Sequence, residues 1–222
     1  MKVFIVHYKK LFERKIHILE QFILYGIRDY EFIEIDRDEL TQDVLPYFGE
    51  TYSKVLIAIA LSHFDAYKKI AQSESESALI LEDDVIFDPQ FMEKLNVYLG
   101  ELPPDFDMLF LGNGCGLHIP SDQILPGKHV YEKSHDPTDW GGLGATRCLD
   151  SYIVSKEGAV KICEYLEHLQ YQINTPIDWW LNKPIREKNM KVFWAEPTIA
   201  SQGTQFGNYQ TSYVREFGDS GL

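Results

Sequence analysis

Apolar positions recur along this chain in two rhythms. KVFIV at residues 2–6 is apolar almost without a break, as a strand buried on both faces is. Residues 11–26 then place apolar side chains at helical spacing, with Phe12, Ile16, Leu19, Ile23 and Ile27 on one predicted face and Gly26 as the stop. YEFIEID at 30–36 alternates and predicts a second strand. Strand, helix and strand in that order predict a right-handed βαβ unit in an α/β layer. A second long helix is expected over 51–71, with Val55, Ile59, Phe64 and Tyr67 covering one face. After the polar turn SESES, ALIL resumes the strand rhythm. Asp88 and Pro89 suit the cap and first position of a further short helix.

The second half keeps the same alternation. DMLFLG at 107–112 reads as a strand ending on glycine. Residues 113–144 are rich in Gly, Pro, His and Asp and read as a loop excursion that holds at most a short hairpin. SYIVS at 151–155 predicts a strand and KEGAVKICEYLEHL a helix. PIDWWLNKPIREK at 176–188 starts as a helix that Pro184 should end or bend. VFWAE is the last predicted strand, followed from 197 by a polar, aromatic, extended tail. No internal repeat or linker interrupts the pattern, so residues 1–222 read as a single α/β domain.

Charge narrows the choice of partners. With 21 basic against 34 acidic residues the net charge is −13, which disfavours nucleic acid and anionic lipid. Cys115, Cys148 and Cys163 are scattered, odd in number and without a CxxC spacing, so reduced thiols are expected. The start lacks the long apolar core of a secretion signal, and VLIAIAL at 55–61 is too short to cross a bilayer. A cytoplasmic location without a transmembrane segment is the expectation. Oligomeric state is left open.

The candidate chemistry lies in ALILEDDVIFD at 78–88, where a buried strand runs into Glu82, Asp83 and Asp84. Ligands of α/β sheets sit beyond the carboxyl ends of the strands. Alternation sends Glu82 and Asp84 to one side and Asp83 to the other. A divalent cation with a preference for oxygen, Mn²⁺ or Mg²⁺, would relieve the repulsion and could hold two phosphates. The plainer reading is that acidic residues end strands often and that Asp83 caps a turn. Other chemistries lack their motifs: there is no P-loop, no HExxH and no GxSxG, and GNGCG at 112–116 is followed by no helix. His63 is either a core histidine or part of a substrate network. Lys9 and Arg14 either meet phosphate or solvate the first helix. Trp140 either stacks on a sugar or packs its loop, and Asp150 is either a cap or an acceptor contact. Trp179 and Trp180, adjacent on a helix, point in different directions.

KVFIVHYKKLFERK, ALSHFDAYKKI, ALILEDDV, SYIVSKEGAVKI, PIDWWL and AEPTIASQ occur in that order. Together they resemble glycosyltransferase family 25, the lipooligosaccharide and procollagen galactosyltransferase group, over nearly the whole chain. The resemblance implies a GT-A type nucleotide-sugar-binding fold with a central mixed sheet flanked by helices. It implies inverting, metal-dependent transfer of a hexose, galactose or glucose, from a UDP-sugar to a hydroxyl of a glycan or glycoconjugate acceptor. Carried onto this chain, Asp84 and Glu82 are the metal candidates, and Glu82, Asp83, Arg14 and Gln202 the donor-binding ones. Asp178 is the expected base, and His63, Trp140, Asp150 and Trp179 are acceptor or structural candidates. The alternatives are a catalytically weak sugar- or nucleotide-sugar-binding protein and another metal-dependent nucleotide enzyme.

Overall fold

A computed structural model describes residues 1–205 and 207–209; Phe206, the remainder of the predicted tail and the side chain of Cys115 lie outside the described residues. Seven strands form the central sheet: β1 (Lys2–Val6), β2 (Tyr30–Ile33), β3 (Ser77–Glu82), β5 (Met108–Phe110), β6 (Val130–Glu132), β7 (Ser151–Ser155) and β8 (Val192–Ala195). Their order is β2-β1-β3-β7-β5-β8-β6. The β1–β2, β1–β3 and β5–β8 pairs are parallel, while β7 runs antiparallel to β3 and β5 and β6 antiparallel to β8. The expected mixed α/β sheet is therefore present, and β1 is one of its inner strands. Helices α1 (Phe12–Tyr25), α2 (Lys54–Gln72), α3 (Phe91–Glu101) and α4 (Lys156–Glu167) cover it, with the short α5 (Ile177–Trp180) and α6 (Asn182–Glu187).

Period-two alternation splits the core into two apolar clusters. Phe4, Ile80, Phe110, Tyr152 and Trp194 point to the side of α2, α4, α5 and α6. Val3, Ile5, Leu79, Leu81, Leu109 and Ile153 point to the side of α1 and α3. Capping sets two helix starts: Ser53 Oγ accepts from Leu56 N at 3.3 Å, and Ser155 Oγ from Gly158 N at 2.9 Å. The stop expected at Gly26 is real, with φ of +69° and a bond from Ile27 N to Phe22 O that closes the turn.

Several expectations need correcting. The apolar stripe on α1 faces outward: Phe12, Ile16 and Ile23 are 70%, 58% and 83% exposed. Arg14, Ile18, Gln21 and Phe22 face inward instead. The polar pair is buried because each has backbone or carboxylate partners to meet, which hydrophobic periodicity does not register. The second strand ends at Ile33, short of the alternating run. Asp88 caps a turn ahead of α3, accepting from Gln90 N at 2.8 Å, and the helix itself begins at Phe91. The excursion holds no hairpin among its described residues; β6 pairs with β8. Pro184 neither ends the chain's helical run nor sits in its middle. The run breaks at Leu181, and Pro184 falls in the first turn of α6, where its missing N–H costs least. Nor is VFWAE the last strand. Ala200–Gln202 forms β9, which pairs antiparallel with β4 (Val85–Phe87) in a separate two-stranded ribbon. That ribbon returns the chain to the acidic residues.

Candidate active site

β3 ends on Glu82, and Asp83 and Asp84 form the turn into β4. The three carboxylates have different surroundings. Asp83 is buried and turned toward α1, where Oδ2 lies 2.8 Å from His7 Nδ1 and Oδ1 2.8 Å from Arg14 Nη1. Arg14 Nη1 is also 4.0 Å from Asp84 Oδ2. Burial of Arg14 on the inner face of α1 therefore serves these acids. Gln21, about two helical turns along the same face, fastens β4: Nε2 donates to Val85 O at 2.8 Å and Oε1 accepts from Phe87 N at 2.7 Å.

Asp84 is held by the returning ribbon. Its Oδ2 accepts from Thr204 Oγ1 at 2.7 Å and Thr204 N at 3.2 Å, and its backbone O accepts from Gly203 N at 2.8 Å. Its Oδ1 is buried with no hydrogen-bond partner among the described residues. Burial, and then the charge of Glu82, push the Asp84 carboxyl up from 3.8 to about 6. Glu82 is more open; its Oε2 lies 3.2 Å from Gln202 Nε2 and its Oε1 3.8 Å from His63 Nε2. Glu82 lies on the α2 side and Asp83 turns toward α1, while Asp84 belongs to the turn.

Asp150 sits just before β7. Its backbone O accepts from Glu82 N at 2.9 Å, so it is the neighbour of Glu82 across the strand pair. It is 1% exposed, and neither carboxylate oxygen has a hydrogen-bond partner among the described residues. Burial first, and then the charges of Glu82 and Asp84, raise it well above the usual carboxylate range. Gly112, at the end of β5, leaves the room it occupies: a Cβ there would stand 1.8 Å from Asp150 Oδ2.

Asp178, on the first turn of α5, accepts from Trp179 N through Oδ1 at 2.9 Å. Burial raises its carboxyl, and the charge of Glu82 adds to the rise while His63 opposes it. Glu82, His63 and Asp178 thus belong to one electrostatic neighbourhood. His63 is fully buried; its Nδ1 is 2.7 Å from Tyr152 Oη, which is 2.8 Å from Tyr67 Oη. Trp180 packs on Phe64 and Tyr165, whereas Trp179 is half exposed, so the two tryptophans diverge as expected. Trp140 packs its loop: Nε1 donates to Gln123 Oε1 at 2.6 Å and the ring lies against Trp194. Lys9 is engaged by Asp36 at 3.1 Å and Glu39 at 2.6 Å.

A cleft of about 400 Å³ opens over the acids; its lining includes the apolar or aromatic Tyr8, Leu11, Leu56 and Ile59 and the polar Arg14, Glu82, Asp84, Gln202 and Thr204. A larger groove, of about 830 Å³, lies away from these acids between α2, α4 and residues 39–48. Among the described residues no three His, Cys, Asp or Glu side chains are arranged to hold a metal by themselves. Hard divalent cations of the Mg²⁺ type commonly take only one or two carboxylates and complete their shell with substrate phosphates. The partnerless buried oxygens of Asp84 and Asp150 fit that mode. Thr204, Gly112 and His7 were not anticipated from sequence. The one available signal was Gly112, a glycine ending a buried strand, which marks a close approach.

The pattern described as "Glycosyltransferase family 25 (LPS biosynthesis protein)" matches residues 1–180, which include the acidic turn, Asp150 and Asp178. A protein of Acanthamoeba polyphaga mimivirus named as a glycosyltransferase is 26% identical over 140 residues, 60% of this chain and 42% of its own length. Human procollagen galactosyltransferase 2 is 30% identical over 169 residues, 69% of this chain. The chain spans 25% of that relative's length. A crystal structure of a glycosyltransferase involved in glycosylation of the major capsid of PBCV-1 superposes with a TM-score of 0.48 at 11% identity, over 90% of this chain and 92% of that one. Among the described residues no helix is long and apolar enough to cross a membrane.

Proposed function

Because the chain belongs to glycosyltransferase family 25, we propose that it moves a hexose, galactose or glucose, from a UDP-sugar to a hydroxyl of a glycan or glycoconjugate, with inversion and with Mn²⁺ or Mg²⁺. The name of the procollagen relatives favours galactose. The observation that carries the reading is a cleft lined by Asp84, Arg14 and apolar side chains, where Asp84 has its Oδ2 4.0 Å from Arg14 Nη1 and a buried Oδ1 with no hydrogen-bond partner among the described residues. That combination suits a nucleoside diphosphate.

Asp84 would coordinate the cation directly, with the more open Glu82 beside it, and a bound divalent ion supplies charge neutralisation for the departing diphosphate. The protein's own groups account for the rest. Tyr8, Leu11, Leu56 and Ile59 offer apolar surface to the base. Arg14, kept in place by Asp83, faces the same space and opposes the negative charge of the phosphates. Glu82 and Gln202, bonded to each other, offer acceptors and donors to ribose or sugar hydroxyls. For inversion the acceptor oxygen bonds to C1 on the face opposite UDP while the bond from C1 to the diphosphate breaks. Asp178 takes the acceptor's proton. Its raised proton affinity makes it a stronger base than an ordinary carboxylate, and such assistance is typically worth ~10²–10⁴-fold.

The test is UDP release with a panel of UDP-sugars and a small set of glycoside acceptors at saturating Mn²⁺. Asp178→Ala should lower kcat by about 10²–10⁴-fold. Asp84→Ala should lower turnover at least as much, because electrostatic support of the leaving group is usually the larger effect. Near-normal turnover of Asp84→Ala, or full activity of the wild type in excess chelator, would overturn the reading.

A further inference from the structure

We infer that Asp150 is the second protein carboxylate of the divalent-cation site, facing Asp84, with diphosphate oxygens and water left to complete the shell. The inference rests on the cation proposed above and assigns this residue to it.

Strand register puts the side chain on the right face. Leu81 and Ser151 are paired across β3 and β7, and the next pair outward is Glu82 with Asp150. Directly opposite residues of an antiparallel pair project from the same face. Asp150 therefore leaves the sheet alongside Glu82, not alongside Asp83. Like charges directly opposite each other are unfavourable, so a carboxylate at this position calls for a reason.

Asp84 lies close enough for its charge to act on Asp150, and the ribbon links the two. Gly112 makes a bridge to Ala200, the first residue of β9, and β9 pairs with β4 immediately after Asp84. Thr204, just beyond β9, holds Asp84 by one oxygen, and the other has no hydrogen-bond partner among the described residues. At the opposite end of β9, Gly112 lies against the Asp150 carboxylate so closely that no other residue type would leave it room.

A capping role does not account for Asp150. Its own backbone N–H lies near the carboxylate without meeting hydrogen-bond geometry, and no other described group bonds to either oxygen. A buried carboxylate without donors is costly in the empty protein, which is the expected state of a ligand whose partner is a cation. With Asp84 Oδ1, the site presents unsatisfied oxygens from two carboxylates and no others of their kind among the described Asp and Glu side chains.

The experiment is a Mn²⁺ titration followed by electron paramagnetic resonance of the free ion, with and without UDP, on wild type, Asp150→Asn and Asp150→Ser. Melting of each protein in EDTA is measured in parallel. Replacing a residue one shell out from a metal commonly weakens binding ~10–100-fold, so loss of a direct ligand should reach about 100-fold. The EDTA melting temperature of at least one variant should equal or exceed that of wild type, since a partnerless buried carboxyl has been removed. Variants that bind Mn²⁺ as the wild type does overturn the assignment. So does weakened binding that comes with a lower EDTA melting temperature in both variants, the mark of a structural role. A wild type that fails to bind Mn²⁺ even with UDP overturns the cation itself, and the two failures are thereby told apart.

Discussion

Asp84→Asn removes one charge from the acidic turn and keeps the shape of the side chain. In the wild type, burial and Glu82 raise the Asp84 carboxyl from 3.8 to about 6. The folded protein thus holds this proton more tightly than the unfolded chain does. Stability contributed by the neutral form is fully present below the unfolded value and is lost as pH rises through about 6. At about 1.4 kcal/mol per pH unit, the lift corresponds to about 3 kcal/mol of destabilisation of the empty wild type above pH 7. The substituted asparagine carries no charge in either state and escapes that loss, while its side-chain oxygen can still accept from Thr204. The stability difference between variant and wild type should therefore grow in the variant's favour by about 3 kcal/mol between roughly pH 3 and pH 8. For a chain of this size that is about 6–12 °C in melting temperature. Removing this charge also eases the repulsion felt by Asp150, which adds with the same sign. The assay is thermal or urea unfolding followed by tryptophan fluorescence, in EDTA, across that pH range. A difference that stays flat with pH would refute the reasoning, because it would mean that Asp84 titrates alike in the folded and unfolded chains.

Two further outcomes follow from the same geometry. Gly112→Ala puts a methyl group onto the Asp150 carboxylate, and overpacking of this kind costs about 1–3 kcal/mol. Combining it with Asp150→Ser should restore most of the loss in a double-mutant cycle, and simple additivity would contradict the contact. Arg147 is fully buried, with Nε on Leu117 O at 2.7 Å, Nη1 on Ala195 O at 2.8 Å and Nη2 on Glu196 Oε1 at 2.5 Å. Arg147→Met leaves Glu196 buried without its cation and should destabilise by about 3–5 kcal/mol in urea unfolding. A loss under about 1 kcal/mol, roughly that of a surface pair, would contradict it.

Some of this protein is already decided in its sequence. Continuous apolar runs at 2–6, 78–81 and 151–155 are buried strands because only a sheet covered on both faces hides every side chain of such a run. Gly26, Ser53 and Ser155 set helix ends through local backbone chemistry that needs no distant partner. The acidic turn is legible for a similar reason: three carboxylates at the tip of a buried strand are a local conflict visible in one dimension. The motifs from the first strand to Asp178 fall within residues 1–180, which the family pattern matches.

Tertiary structure decided the rest. Periodicity chose the wrong face of α1, because Arg14 and Gln21 are drawn inward by Asp83, Val85 and Phe87, groups 64 to 69 residues away in sequence. In sequence Asp150 reads as either a cap or an acceptor contact. Only the β3–β7 register sets it opposite Glu82, and only Gly112, just past β5, makes space for it. Thr204 and β9 lie in a stretch that reads as tail, since a three-residue strand has no periodicity to detect and exists only through its pairing with β4. Asp84 is 120 residues from the threonine that orients it. A sequence records which charges a chain carries; how far each is removed from water, and which neighbours it meets there, is settled when strands far apart in the chain come into register.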